Sequence, residues 1–160
     1  MPSLHPIEVH SPEPMFYLVK RGHVQGTLDH SLKKQALDAG VVIYFNSNQH
    51  CHADIVATGP SHANIVAAGI TFETSLQHYA GGILSDSLAP KGYAYFLVAE
   101  GSATLATVLF RDFHKASACL DKSLNAFQKV VDFDMKHPRK FGGYGYFGCP
   151  QSASRNGRIY

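Results

Sequence analysis

Between Thr27 and Gly40 the apolar residues Leu28, Leu32, Ala36 and Ala39 recur at i, i+4, i+8 and i+11, which predicts an amphipathic helix. Thr27 stands where an N-cap belongs, Asp29 puts an acid in the first turn, and Gly40 sits at C′. The pattern changes immediately afterwards. "VVIYF" (Val41 to Phe45) and "ADIVATG" (Ala53 to Gly59) are apolar runs with little alternation, read as buried strands of a parallel or mixed sheet. A further run, "MFYLV" (Met15 to Val19), reads as a strand behind an extended stretch punctuated by prolines.

From Gly69 onward the runs shorten and alternate. "GITFET", "GGILSD", "GYAYFLVA" and "TLATVLF" are separated by Gly, Ser and Pro, which predicts an antiparallel meander. In "DFHKASACLDKSLNAFQKVV" Ala116, Leu120, Leu124, Phe127 and Val131 return at helical spacing, so one face of a long helix should lie on that sheet. "RKFGGYGYFG" is a strand loosened by glycine, and Asn156-Gly157 is a turn signal before Arg158-Ile159-Tyr160, which reads as a strand begun. The fold class expected is therefore α/β, more closely α+β: a mixed, largely antiparallel sheet with one long covering helix, plus part of a parallel sheet.

Composition narrows the class without changing it. The 160 residues are 45% hydrophobic and 16% charged, which fits a folded domain and argues against disorder. A net charge of +2 with scattered basic residues gives no footprint for nucleic acid. Cys51, Cys119 and Cys149 are odd in number and widely spaced, which suits a reducing, cytoplasmic setting better than a disulfide framework. The first residues lack the apolar core of a signal peptide, and no apolar run reaches the roughly 18 residues of a membrane span, leaving peripheral contact open.

Candidate chemistry is sparse. His50, Cys51 and His52, with His62 ten residues on, are ligand types that zinc favours. Neighbours in an extended loop point in opposite directions, so solvated loop residues are the better reading and no metal is assigned. Tyr93 and Tyr95, like Tyr144 and Tyr146, are two apart and would share a strand face. A face lined by tyrosine implies partners for the hydroxyls or a wet cavity, and the glycines around the second pair suggest close approach of a ligand or another backbone. "ADIVATGP" ends a strand in residues that let the backbone turn sharply at a sheet's carboxyl edge, where α/β proteins place nucleotides. No Walker-type loop, GxSxG or HExxH occurs, so hydrolase readings stay low; the GxGxxG spacing of Gly143, Gly145 and Gly148 falls in the glycine-loosened strand and no helical pattern follows it.

Taken in order, "RGHVQGTLDHSLKKQALDAGVVIYF", "ADIVATGP", "PKGYAYFLVAEGSATLATVLF" and "FGGYGYFGCPQSASRNGRIY" resemble FAD-dependent oxidoreductases of the geranylgeranyl reductase type, within the p-hydroxybenzoate hydroxylase fold. The resemblance runs from about Tyr17 onward. It implies that Arg21 lies near the flavin and that the segment ending Thr58-Gly59-Pro60 passes close to the cofactor. It also implies that "PKGYAYFLVAEG" lines the substrate cavity, with Tyr95 in the place of a family tryptophan and Val98 in that of a proline. Many relatives have an Asp-Gly pair near Thr58, which this chain lacks, so a reductase-like reaction is expected ahead of a hydroxylase-like one.

The expected organisation is a partial FAD-binding segment over residues 1–60, a substrate-binding domain over 61–150, and over 151–160 the start of a strand returning to the FAD domain. On this reading the chain is an internal segment of a flavoprotein that reduces or oxidises an apolar substrate with FAD, with NAD(P)H as a candidate electron donor. The tyrosines Tyr93, Tyr95, Tyr144 and Tyr146 are the cavity residues, their hydroxyls candidate proton donors. Taken alone the chain should bind FAD weakly or not at all and have no turnover. Unpaired sheet edges would favour self-association. The competing reading is a non-catalytic module that holds an apolar ligand on the same aromatic sheet.

Overall fold

A computed structural model describes residues 7–47 and 62–148 and the backbone of 154–155 and 158–159. The chain divides into two compact units, residues 1–49 and 50–160.

In the first unit, helix α1 spans Leu28–Asp38 and begins as its sequence predicts. Thr27 is extended at the N-cap, its Oγ1 accepting the His30 N–H at 3.4 Å and donating towards the Val24 carbonyl at 2.7 Å. The helix ends in a Schellman arrangement. Gly40, at φ 81°, donates its N–H to Leu37, and Val41 donates to Ala36, each at 3.0 Å. The amphipathic stripe is not buried: α1 has no buried residue, and Leu28 and Leu32 are exposed.

The two apolar runs read as strands in this unit are not strands. Residues 15–19 and 41–45 make no ladder, and Phe16, Tyr17, Val42, Tyr44 and Phe45 are exposed. An apolar run becomes a strand only when a neighbour takes up its alternate N–H and C=O groups, and neither run has one among the described residues. The third expected strand, Ala53 to Gly59, lies outside the described residues, so no parallel sheet is established.

The second unit is α+β. Its sheet contains β1 (Ile65–Glu73), β2 (His78–Ile83), β3 (Tyr93–Ala99), β4 (Ser102–Leu109) and β5 (Lys136–Gly145), in the order β2-β3-β4-β1-β5, every pairing antiparallel. Strands β2 to β4 are the expected meander. β1 begins earlier than the glycine at 69 suggests and inserts between β4 and β5. A separate pair, β6 (Ser154–Arg155) and β7 (Arg158–Ile159), matches Arg155 with Arg158 across the Asn156-Gly157 turn signal.

A two-residue turn fixes the centre of the sheet. Ala99 pairs with Ser102, and between them Glu100 and Gly101 both take left-handed φ, 51° and 73°, the handedness of a type I′ hairpin. Strand β5 carries a bulge. Thr71 faces Arg139 and Glu73 faces Lys136, so Phe72 alone opposes His137, at φ 52°, and Pro138. A proline is tolerated there because β5 is an edge strand and the bulge interrupts its ladder.

Helix α2 (Ala116–Phe127), led in by a 3-10 turn at Phe113–Lys115, covers one face of the sheet. Leu120 and Phe127 of its predicted apolar face are buried against Ile70, Phe72, Phe96, Val98 and Leu105. Phe96 is the hub of this core. It is fully buried, with the rings of Tyr79, Phe127 and Phe133 at 5.2, 5.7 and 4.6 Å between centroids. Asp134 ties the α2–β5 connection to the β1–β2 loop. Its Oδ1 accepts from Thr74 Oγ1 at 3.0 Å and from the Ser75 N–H and Oγ at 2.7 Å each. The Ser75 backbone and hydroxyl bonds, with that from Thr74, hold the Asp134 carboxyl well below the usual carboxylate range.

Candidate functional site

Because antiparallel partners share a face, the register sorts every strand residue to one side of the sheet. The helix-covered face takes Ile70 and Phe72, Ala94, Phe96 and Val98, and Ala103 and Leu105. The other face takes the alternate residues, and they form rows across the strands. One row runs Gly82, Tyr95, Ala106, Gly69 and Phe141, and the next runs Tyr93, Val108, Ala67 and Gly143. A third, Leu97, Thr104, Thr71 and Arg139, is polar at its β5 end.

Small residues thus occupy the middle of this face and aromatic residues its flanks. β3 and β5 are three strand spacings apart, about 14 Å. The Phe141 ring closes part of that span by lying directly over Gly69, where a Cβ would meet both the ring and Ala106 Cβ, the latter at 2.9 Å. Ala106 is consequently fully buried and Val108 nearly so, while Tyr93, Phe110 and Phe141 stay about 40% exposed. The surface offered outward is an aromatic platform.

Tyr93 and Tyr95 stand side by side on it, ring centroids 6.2 Å apart. Among the described residues no hydrogen bond engages either hydroxyl. Burial pushes the Tyr95 hydroxyl up from its ordinary pKa, and the neighbouring Tyr93 adds to the shift, so it stays protonated and able to donate. Phe110 and Phe147 extend the platform as an edge-on pair at 6.2 Å. Asn64 fixes that corner, donating from Nδ2 to the Phe147 carbonyl and accepting the Phe147 N–H at Oδ1, both at 2.6 Å.

The two tyrosine pairs do not converge. Tyr144 pairs with Val66, which places it on the helix-covered face of edge strand β5, 71% exposed, and Tyr146 follows the end of that strand. Of the glycines around that pair, Gly143 and Gly145 face open space, Gly142 makes only an ordinary contact with the Ala67 carbonyl, and Gly148 is approached by the Tyr146 ring; on the platform itself the close approach is made at Gly69 of β1. Phe110, Phe141 and Phe147 were not singled out by sequence reasoning. The signal was present: Phe141 and Phe147 sit at even offsets from Gly143 and Gly145, but a face is defined only once the partner strand is known.

In the first unit, Arg21 is held at the start of α1. Its Nε and Nη2 donate to Asp29 Oδ2 and Oδ1 at 2.8 and 2.7 Å, and the Gly22 N–H donates to Oδ2 at 2.7 Å. The Arg21 fork, then the Gly22 N–H, draws the Asp29 carboxyl well below its usual range, and the guanidinium is raised in turn. Thr58, Gly59 and Pro60 lie outside the described residues, as do His50, Cys51 and His52. Among the described residues no group of three or more His, Cys, Asp or Glu is placed to hold a metal, and no helix is long and apolar enough to cross a membrane. No family model, curated protein or solved structure matches the chain.

Proposed function

We propose that the second unit is the substrate-binding sheet of a flavin-dependent oxidoreductase of the geranylgeranyl reductase type, taking an apolar molecule on its aromatic face. The observation that carries this reading is the division of labour between the faces. Helix α2 and the Phe96 core cover one, while the other presents Tyr93, Tyr95, Phe110 and Phe141 over a floor of Ala106 and Gly69. Aromatic residues flanking small ones suit an apolar body that slides between rings, and ring stacking adds to simple burial. Tyr95 Oη, kept protonated, would orient a polar group of the substrate or give it a proton.

FAD would supply the hydride chemistry in such an enzyme, with NAD(P)H as donor. The described residues do not by themselves make a flavin site: two of the Arg21 nitrogens are committed to Asp29, and the GxGxxG spacing of Gly143, Gly145 and Gly148 falls at the end of β5 with no helix after it among the described residues. The purified chain should lack the visible absorption band of an oxidised flavin. A stoichiometric flavin spectrum would overturn that expectation. An in-frame GxGxxG in the genomic DNA upstream would support the oxidoreductase, and its absence there would favour the non-catalytic binding module.

The ligand half of the proposal is tested with geranylgeraniol, a long isoprenoid alcohol, added to the labelled chain and followed by NMR. Saturable shifts at Tyr93, Tyr95 and Phe141, weakened about tenfold or more by Tyr95→Ala, are expected. Shifts confined to α2, or none that saturate, would refute it.

A further inference from the structure

At the end of the sheet where the β2–β3 loop meets the start of α2, a cleft of about 430 Å³ is lined by Lys91, Arg111, Lys115 and Lys122, with Asp86 and Asp112. Both carboxylates are engaged. Asp86 accepts the Lys91 backbone N–H at 2.9 Å, and Asp112 pairs with Lys115 Nζ at 2.8 Å. Among the described residues no ion pair within 4.0 Å takes up the side chains of Lys91, Arg111 or Lys122. The lining therefore carries two positive charges in excess. The backbone is bent to bring them together: Lys91 and Asp112 hold left-handed φ of 57° and 54°, conformations that L side chains rarely adopt. The start of α2 adds the positive end of a twelve-residue helix, and no side chain caps it.

We propose that this cleft binds a diphosphate group. Several separated cations match an anion whose charge is spread over several oxygens, and the volume exceeds what one phosphate fills. The site is independent of the aromatic platform, since α2 lies over the opposite face of the sheet. The cations are exposed, so affinity falls steeply with salt.

The full chain, ¹⁵N-labelled, is titrated with inorganic pyrophosphate at constant ionic strength. In parallel it is mixed with phosphatidylcholine vesicles with and without phosphatidic acid. Saturable shifts at Lys91, at residues 111–115 and at Lys122 are expected, with the Arg111→Gln, Lys122→Gln double variant weakening binding about tenfold or more. These side chains are exposed, and Lys122→Glu alone provides a second variant should the double variant fold poorly. A saturable response to pyrophosphate supports the proposal, whereas a response to phosphatidic acid alone overturns it, because that headgroup carries a single phosphate. Absence of saturation in both arms, or affinity unchanged in both variants, overturns the proposal.

Discussion

Gly69→Ala places a methyl group where the Phe141 ring rests, so one small substitution tests the geometry of the whole aromatic face. The added Cβ would meet the ring atoms and, at 2.9 Å, the Cβ of Ala106. Ala106 is fully buried in central strand β4 and cannot retreat, whereas Phe141, on edge strand β5, can swing out. Overpacking of this kind costs about 1–3 kcal/mol. Releasing a ring already 40% exposed forfeits roughly half of a full burial, about 1–1.5 kcal/mol. A net loss of about 2 kcal/mol follows, and with a slope of ~1.5 kcal/mol/M it moves the urea midpoint down by somewhat over ~1 M. Gly143→Ala, two residue pairs along the same ladder, is the control. Nothing lies within 4 Å of its Cβ, so it should stabilise by about 0.5 kcal/mol by restricting the unfolded chain. In a Phe141→Ala background only the Ala106 contact remains, and the Gly69→Ala loss should shrink by about 1 kcal/mol. Equal effects at the two glycines, or a Gly69→Ala loss that Phe141→Ala leaves unchanged, would refute the placement of the ring.

Phe96→Ala removes the hub of the core and should cost about 3–5 kcal/mol in urea unfolding; a loss under about 1 kcal/mol would contradict its packing. Asp134 has a folded pKa below its unfolded value of about 3.9, so its stabilising effect is present above that value and is lost as pH falls through it and beyond. Asp134→Asn should therefore flatten the acid limb of a plot of urea midpoint against pH, and limbs of equal steepness would exclude the clamp. Thr27→Ala should weaken α1 by about 1 kcal/mol, read as roughly fivefold faster amide exchange within α1 alone.

That Tyr93 and Tyr95 share one face of β3 was legible because strand side chains alternate, and Ala94, Phe96 and Val98 take the core face. The cap at Thr27 and the stop at Gly40 were equally legible, since both are local rules of backbone geometry. Partners were not legible. Val41 to Phe45 is as apolar as a buried strand, yet apolarity records what a segment would bury and not what is there to cover it. For the same reason the four tyrosines looked like one lining until the register put Tyr93 and Tyr144 on opposite sides of the sheet. The basic cleft left no sequence signature, because Lys91 and Lys122 meet only through the packing of α2 beside the β2–β3 loop.

The Glu100-Gly101 turn sets a parity. Every residue of β3 inherits its side of the sheet from a two-residue count between Ala99 and Ser102. Lengthening the count by one would exchange Phe96 for Tyr95, sending the hub outward and a hydroxyl into the core. The hairpin thus encodes the chemistry of the platform at a distance, through the arithmetic of its loop, and a single inserted glycine should abolish folding and ligand binding together.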